Sequence, residues 1–132
     1  MISTKELLHA HETIRKHANE REFPAQLQSV FLLIANNGGD MAQADIAPAL
    51  GLSTSAVSRN LSWLGPRNVL KRRSGLRWIE IYQCPKNYKA NRVRLTALGR
   101  QVIEEALTPP RVSKRWQDPC SPEALRAAIN AL

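Results

Sequence analysis

Residues 41–64 read MAQADIAPALGLSTSAVSRNLSWL, and this stretch decides the fold. The pattern predicts two short helices joined by a sharp turn. Gly51 ends the first helix, because glycine accepts a positive φ without a Cβ clash. Ser53 is a good N-cap for the second helix, since its hydroxyl can accept a free amide proton of the first turn. The second helix has apolar residues at i, i+4 and i+7, which predict one buried face: Val57, Leu61 and Leu64.

The other faces of this second helix carry short polar side chains and one cation, namely Thr54, Ser55, Ser58, Arg59, Asn60 and Ser62. Hydroxyl, amide and guanidinium groups reach base edges and phosphates from the major groove of DNA. No acid lies between Ser53 and Leu64, whereas an ordinary solvated helix face usually mixes Glu with Lys. The stretch therefore favours a DNA-recognition helix, although similar helix pairs also occur in helical proteins that do not bind DNA.

Positive charge is concentrated in one block of the chain. Ten basic residues and a single acid, Glu80, lie from Arg59 to Arg94. The whole chain of 132 residues has 19 basic and 11 acidic residues, so the remainder holds nine basic and ten acidic ones. The net charge of +8 thus comes from this block, and the isoelectric point is near 10.2. A charge that served only solubility would be spread out, so we interpret the block as a footprint for a polyanion.

Two segments with strand-like alternation predict a β-hairpin, or wing. They are residues 77–83, RWIEIYQ, and residues 91–95, NRVRL, with the turn-rich sequence CPKNYKA between them. The preceding segment, residues 67–75, is basic and is predicted to be a short helical turn or a loop. Its cations Lys71, Arg72 and Arg73 are candidates for phosphate contacts, with a merely solvated charge run as the alternative. Tyr88 either touches the DNA backbone or packs on the hairpin.

Helical patterns flank this central region. Ser3 or Thr4 can cap a first helix that runs to about Arg21 with a semi-apolar stripe, and Pro24 opens a second helix through residue 37 that is apolar nearly all round. Residues 36–40 are predicted to form a flexible turn. Thr96 should cap a helix that runs to about Leu107. A last helix over residues 122–132 is too short to be stable alone in water and must pack on another surface.

These elements predict a mainly α fold with a small β-hairpin wing, which is an α+β winged helix-turn-helix with N- and C-terminal helical extensions. Residues 1–22 form the N-terminal helix in this interpretation, residues 23–107 the winged helix-turn-helix domain, and residues 108–132 a linker and a C-terminal helix. The N-terminal helix could pack on its own domain or on a partner subunit, and for the C-terminal helix a second subunit is a natural candidate.

The run A-x-x-L-G-L-S-x-S-x-V-S-R-x-L, residues 47–61, resembles the helix-turn-helix of the multiple-antibiotic-resistance regulator (MarR) group of winged-helix repressors. The run R-L-T-A-L-G-R, residues 94–100, is similar to that group's strand-to-helix junction after the wing. The likeness covers roughly residues 24–107. Many regulator families share the first motif, and the junction at this spacing points to the MarR-like branch. Pro48 departs from the pattern and predicts a local kink.

The resemblance implies a homodimer built by the N- and C-terminal helices, with double-stranded DNA as the partner. Members of the group usually carry Asp-Arg-Arg at the wing tip, where this chain has Asn87, Tyr88 and Lys89. A minor-groove arginine therefore does not carry over, and Lys86, Lys89 or Arg92 must replace it, or the wing contacts only phosphate. Relatives often bind small phenolic or lipophilic effectors, and the sequence indicates no pocket for one.

Other classes of function find no support in the sequence. No window approaches 18 uninterrupted apolar residues and no apolar signal core opens the chain, so we expect no membrane span and a cytoplasmic location. Cys84 and Cys120 are expected to be reduced thiols, and Cys84 is either incidental or a redox sensor. His9 and His11 lie on different helix faces, so we expect no metal site. Lacking a phosphate-binding glycine loop and a carboxylate pair, the chain is expected to be no enzyme and to use no cofactor.

The first hypothesis is a dimeric, sequence-specific DNA-binding repressor with recognition helix 53–64 in the major groove and wing 77–95 on the flanking backbone or minor groove. Its predicted base-reading residues are Thr54, Ser55, Ser58 and Arg59. Its predicted backbone and wing contacts are Ser53, Asn60, Ser62, Lys71, Arg72, Arg73, Arg77, Lys86, Asn87, Tyr88, Lys89 and Arg92. The alternatives are a winged-helix adaptor or inhibitor that docks on an acidic protein, and a replication or recombination accessory protein.

Overall fold

A computed structural model describes residues 2–19, 23–68, 73–108, 126 and 129–130. The helices within these ranges are α1 (Thr4–Ala18), α2 (Ala25–Asn36), α3 (Ile46–Leu50), α4 (Thr54–Leu64) and α5 (Ala97–Leu107). The strands are β1 (Asp40–Ala42), β2 (Arg67–Asn68), β3 (Arg73–Ser74), β4 (Ile79–Cys84) and β5 (Asn87–Leu95). The predicted α+β winged helix-turn-helix fold is confirmed.

The core is built around α2 and Trp78. Leu27, Val30, Phe31 and Ile34 of α2 are fully buried, as the all-round apolar pattern predicted. Trp78 is also buried, and its ring centroid lies 4.8 Å from that of Phe31. Apolar burial of this kind is the main favourable term in folding. A buried tryptophan directly before the first strand of the wing therefore anchors the wing in the core.

The first helix is shorter than predicted. Ser3 caps α1 by accepting a hydrogen bond from the Glu6 amide, but the helix ends at Ala18 and not near Arg21. Asn19 follows with a left-handed φ of 54°, and its amide donates to the Lys16 carbonyl. Asn tolerates this conformation better than most residues and often ends helices. The pattern of apolar spacing alone did not indicate this stop.

The turn between α3 and α4 has the predicted construction. Gly51 adopts a φ of 66°, and its amide closes α3 by donating to the Ala47 carbonyl. A 3-10 turn over Gln43–Asp45 precedes α3, which has only five residues. Pro48 is the third residue of α3, where the amide of any residue would lack a partner inside the helix. The expected kink is therefore unnecessary, because the helix begins late enough to accept the proline in its first turn.

The main sheet has three antiparallel strands in the order β1-β5-β4. Asp40 lies opposite Arg94 and Ala42 lies opposite Arg92 in the register of β1 with β5. A flexible turn over residues 36–40 and the start of the next helix had been predicted for this region, so the sequence interpretation was wrong about β1. A three-residue strand has no periodicity of its own, and its hydrogen-bond partners lie some fifty positions further along the chain.

The wing also differs from the prediction in its bounds. The turn between β4 and β5 contains only Pro85 and Lys86, and β5 already begins at Asn87, with a register irregularity at Gln83 and Cys84. The segment predicted to be a helical turn or loop instead places Arg67–Asn68 antiparallel to Arg73–Ser74 as a second small sheet.

The predicted C-terminal helix falls mostly outside the described residues, although Arg126, Ile129 and Asn130 are helical. No helix in the described ranges combines the length and apolar character that a membrane crossing requires.

Candidate nucleic-acid interface

The outward face of α4 carries five exposed polar residues: Ser53, Thr54, Ser55, Ser58 and Arg59. The opposite face is buried in the core through Ala56, Val57, Leu61 and Leu64. The Ser53 hydroxyl accepts a hydrogen bond of 3.1 Å from the Ala56 amide, so the predicted N-cap is confirmed. Four predicted base-reading residues thus share one accessible face of a helix whose start and orientation are fixed by the core.

Asn60 does not lie on that face, and the prediction that it is exposed was wrong. Its side chain is 7% exposed, and its Nδ2 donates to Gln26 Oε1 of α2 over 2.9 Å. Asn60 is four residues after Ala56 and four before Leu64, both buried, so the helical period itself turns it inward. This hydrogen bond joins α4 to α2. Ser62, another predicted backbone contact, is half-buried.

The end of α4 is tied to the root of the wing by main-chain hydrogen bonds. Trp78 donates its amide to the Leu64 carbonyl over 2.8 Å, and Arg77 donates to the Gly65 carbonyl over 3.1 Å. The Thr96 hydroxyl, which caps α5, in turn donates to the Arg77 carbonyl over 2.6 Å. We call this meeting point of α4, β4 and α5 the wing root. It holds α4 and the wing on one framework.

Arg77 occupies the wing root in an unusual backbone conformation. Its φ is 61°, in the left-handed region, and its side chain is exposed. In an L-residue this conformation brings steric crowding at the Cβ that glycine avoids. The positive φ also explains why β4 begins at Ile79 and not at Arg77, as predicted. The backbone of an exposed arginine is thereby held beside the end of α4.

The cations on the outer face of the sheet are largely paired within the protein. Arg92 Nε lies 2.9 Å from Asp40 Oδ1, and the Tyr82 hydroxyl donates to Asp40 Oδ2 over 2.5 Å. The Tyr82 hydrogen bond, followed by that of Arg92, lowers the pKa of Asp40 below its ordinary value. Arg94 pairs with Glu80 and lies 4.4 Å from the Tyr82 ring centroid. The predicted DNA contact of Arg92 therefore competes with an internal carboxylate.

For the remaining predicted DNA contacts, the structure describes the side chain, only the backbone, or neither. Lys86 is exposed in the two-residue turn at the wing tip. Lys71 and Arg72 lie outside the described residues. The backbone of Arg73, Asn87, Tyr88 and Lys89 belongs to β3 or β5, but their side chains lie outside the described part of the structure.

The histidines and Cys84 do not belong to the outward face of α4. His17 pairs with the Glu105 carboxylate of α5, and His9 Nε2 lies 3.1 Å from the Glu105 carbonyl oxygen, so both join α1 to α5. Within the described residues, no group of three or more His, Cys, Asp or Glu side chains is arranged to hold a metal ion. Cys84 is a half-buried free thiol at the end of β4.

No protein-family model matches the sequence, and no match was found among curated proteins. Solved structures do match. The PcaV transcriptional regulator of Streptomyces coelicolor, in complex with its natural ligand, is 20% identical with a TM-score of 0.51 over 77% of this chain and 65% of that one. A cysteine-to-serine mutant of MarR from E. coli, complexed with operator DNA, is 18% identical with a TM-score of 0.50 over 76% of this chain and 65% of that one.

Reduced AbfR bound to DNA is 14% identical with a TM-score of 0.53, over 95% of this chain and 81% of that one. The chain thus spans about 65% of the length of the first two structures. At these identities the likeness shows a shared fold, the winged-helix fold of MarR-type transcription regulators.

Proposed function

We propose that this chain, which has the fold of MarR-type regulators, is a DNA-binding transcription regulator without catalytic activity. It acts as a homodimeric, cytoplasmic repressor, with α4 in the major groove and the wing on the flanking backbone or minor groove. The observation that carries the proposal is the outward face of α4. Ser53, Thr54, Ser55, Ser58 and Arg59 are exposed there together, with no acid on the helix.

The chemistry of this face fits the edges of base pairs. Arg can donate two hydrogen bonds to O6 and N7 of guanine, and Ser and Thr hydroxyls accept or donate to several bases. Arg59 forms no ion pair with any described residue, so its guanidinium is available to a ligand. Short hydroxyl side chains on either side leave room for the helix to approach the groove floor. The face is thus suited to reading bases through Arg59.

Phosphate contacts would come from cations that are not engaged inside the protein. Among the predicted backbone contacts whose side chains are described, Arg77 at the wing root and Lys86 at the wing tip are of this kind, and both are exposed. Lys71, Arg72, Arg73, Lys89 and, after release from Asp40, Arg92 are further candidates, as is the hydroxyl of Ser53. Phosphate contacts fix the register of a protein on a duplex but carry little sequence information.

Dimer formation is supported by exposed apolar side chains on α1 and at the end of α5. Leu7 and Leu8 are 57% and 60% exposed, and Leu107 is 70% exposed. The two helices pack against each other, and His9 of α1 lies beside the Glu105 carbonyl near the end of α5, so these residues belong to the same region of the helix pair. A second copy would remove this apolar surface from water. Light scattering should report a dimer for the wild type and for Leu32→Lys, an exposed position on α2, and a monomer for Leu8→Lys.

The proposed function is tested by fluorescence anisotropy with the DNA just upstream of the gene and a scrambled duplex, near 0.15 M salt. A regulator should prefer one duplex by about 10³-fold or more. Log affinity should fall with log salt at about −0.9 per neutralised phosphate. Absence of duplex binding, with tight binding to an acidic protein, would instead establish the adaptor alternative.

Base reading by Arg59 needs its own variant. Arg59→Ala should lose about 1–3 kcal/mol of discrimination at one base pair of the operator and little affinity for scrambled DNA. Lys16→Ala, which removes one positive charge from the exposed side of α1, is the matched control and should bind as the wild type does. If Arg59→Ala weakens all duplexes equally, Arg59 contacts phosphate and reads no base.

A further inference from the structure

A cleft of about 270 Å³ lies between the start of α4, the 3-10 turn before α3, and the strands β1 and β5. Its lining residues are all uncharged, namely Ala42, Gln43, Ala44, Ala47, Thr54, Val57, Ala90 and Asn91. An engineered apolar cavity of about 150 Å³ admits benzene, whereas sites for drug-sized ligands measure about 300–1,000 Å³. The cleft is therefore large enough for one ring with a short substituent.

Gln43 gives this cleft an unsatisfied hydrogen-bonding group. Its Oε1 is buried, and no described residue donates a hydrogen bond to it. A buried amide oxygen without a donor is unfavourable, and nearly all such atoms in native proteins have a partner. The last side-chain torsion of glutamine is broad and roughly two-fold, so a rotation of the amide can present Oε1 to the cleft without moving the backbone. A molecule bound in the cleft can thus supply the missing donor.

The chemistry of the walls restricts the class of that molecule. An amide side chain presents an acceptor and a donor side by side, so a carboxamide complements it by donating to Oε1 and accepting from Nε2. The methyl groups of the alanines and of Val57 suit the faces of an apolar ring. Because no ionisable side chain lines the cleft, a charged ligand would lose hydration without gaining a counter-charge.

We propose that this cleft binds a small, uncharged carboxamide carried on a single apolar ring, and that Gln43 recognises the amide. The Thr54 hydroxyl and the Asn91 amide also line the cleft and offer further hydrogen bonds to the same group. None of the lining residues belongs to α1 or α5, so the site is separate from the helix pair that carries the exposed leucines. Binding requires neither DNA nor a second copy of the chain, so this inference goes beyond the proposed function and does not depend on it.

Three probes of nearly equal size test the recognition. Benzamide carries the proposed amide, acetophenone replaces its amino group with a methyl group, and benzoate replaces it with a charged oxygen. Each is titrated into the wild-type protein, and binding is followed by the NMR shifts of the backbone and side-chain amides. A site built to hydrogen-bond an amide rejects an analogue that lacks the donor, so benzamide should bind at least about tenfold more tightly than either of the others.

Matched variants assign the preference to Gln43. Gln43→Met keeps the length of the side chain but removes its amide, and it should lower the affinity for benzamide to that for acetophenone. Gln83→Met makes the same change at an exposed position of β4 outside the cleft and should keep the wild-type preference. Ala90→Leu fills the cleft from β5 and should abolish binding of both neutral probes. Thermal unfolding checks that each variant is folded, and Ala90→Leu decides the question if Gln43→Met is not.

Several results would overturn the proposal: no binding of benzamide to the wild type, equal binding of benzamide and acetophenone, or a preference that survives in folded Gln43→Met or Ala90→Leu. All of these are measured without DNA. A wild type that binds benzamide as expected but no duplex would contradict only the regulator hypothesis. A wild type that binds a duplex but not benzamide would contradict only the proposal for the cleft.

Discussion

Replacing Arg77 with glycine should raise stability, or leave it unchanged, while it weakens DNA binding. The left-handed φ of 61° costs a residue with a Cβ about 1–2 kcal/mol relative to right-handed conformations. Glycine removes that cost but gains freedom in the unfolded chain, which reduces the benefit by about 0.4–1 kcal/mol. The free energy of unfolding of Arg77→Gly should therefore equal the wild-type value or exceed it by up to about 1.6 kcal/mol.

The same substitution removes an exposed guanidinium from the wing root. If Arg77 neutralises one phosphate, the slope of log affinity against log salt should become less negative by about 0.9. Arg77→Ala is the matched variant, because it removes the guanidinium but keeps the Cβ and its crowding. It should show the same change in salt slope as Arg77→Gly, without the gain in stability.

Two measurements decide the outcome. Urea denaturation of the wild type and both variants gives the free energies of unfolding, and anisotropy at several salt concentrations gives the slopes. A glycine variant less stable than the alanine variant would refute the strain argument. A wild-type salt slope in both variants would show that Arg77 does not contact phosphate.

Three further predictions concern the scaffold. Gly99→Ala should lower the free energy of unfolding by about 3 kcal/mol in urea denaturation, because an added Cβ would lie 2.1 Å from the Trp78 carbonyl oxygen. Asn60→Ala should cost about 1 kcal/mol through loss of the hydrogen bond to Gln26 but leave the DNA affinity and salt slope of the folded protein unchanged; a smaller salt slope would mean that Asn60 contacts phosphate after all. Asp40→Asn should be less stable than the wild type at neutral pH, and the difference should shrink in acid. Asp40 has a lowered pKa in the fold, so its contribution is present above the ordinary value of 3.8 and is lost as pH falls through the lowered value; a difference that is constant across this range would contradict the assignment.

Local signals in the sequence were sufficient to predict the helix-turn-helix. Gly51, Ser53 and Thr96 each act within a few residues of their own position, through a backbone conformation or a cap. The period of three to four residues placed Val57, Leu61 and Leu64 inside the core. Such predictions hold in the folded protein because the apolar face that the helical period defines is the same face that packs into the core.

Features made by distant residues were missed or only partly predicted. The pairing of β1 with β5 and the ion pair of Asp40 with Arg92 join positions some fifty residues apart, so no short window contains them. The basic block consequently looked like a larger free cationic surface than the structure presents. Asn60 is four residues from both Ala56 and Leu64, so its position in the helical period predicts its burial although its polarity suggests exposure.

The main-chain hydrogen bonds of the wing root have a consequence for how an operator would be chosen. Because Leu64, Gly65 and Thr96 bond to the two residues before β4, hydrogen bonds of the wing root set the spacing between α4 and the wing. In the proposed complex the duplex must supply the matching distance between its grooves. Base pairs that the protein never touches would then affect affinity through the width of the minor groove and the ease of bending, so part of the operator would be selected by its stiffness.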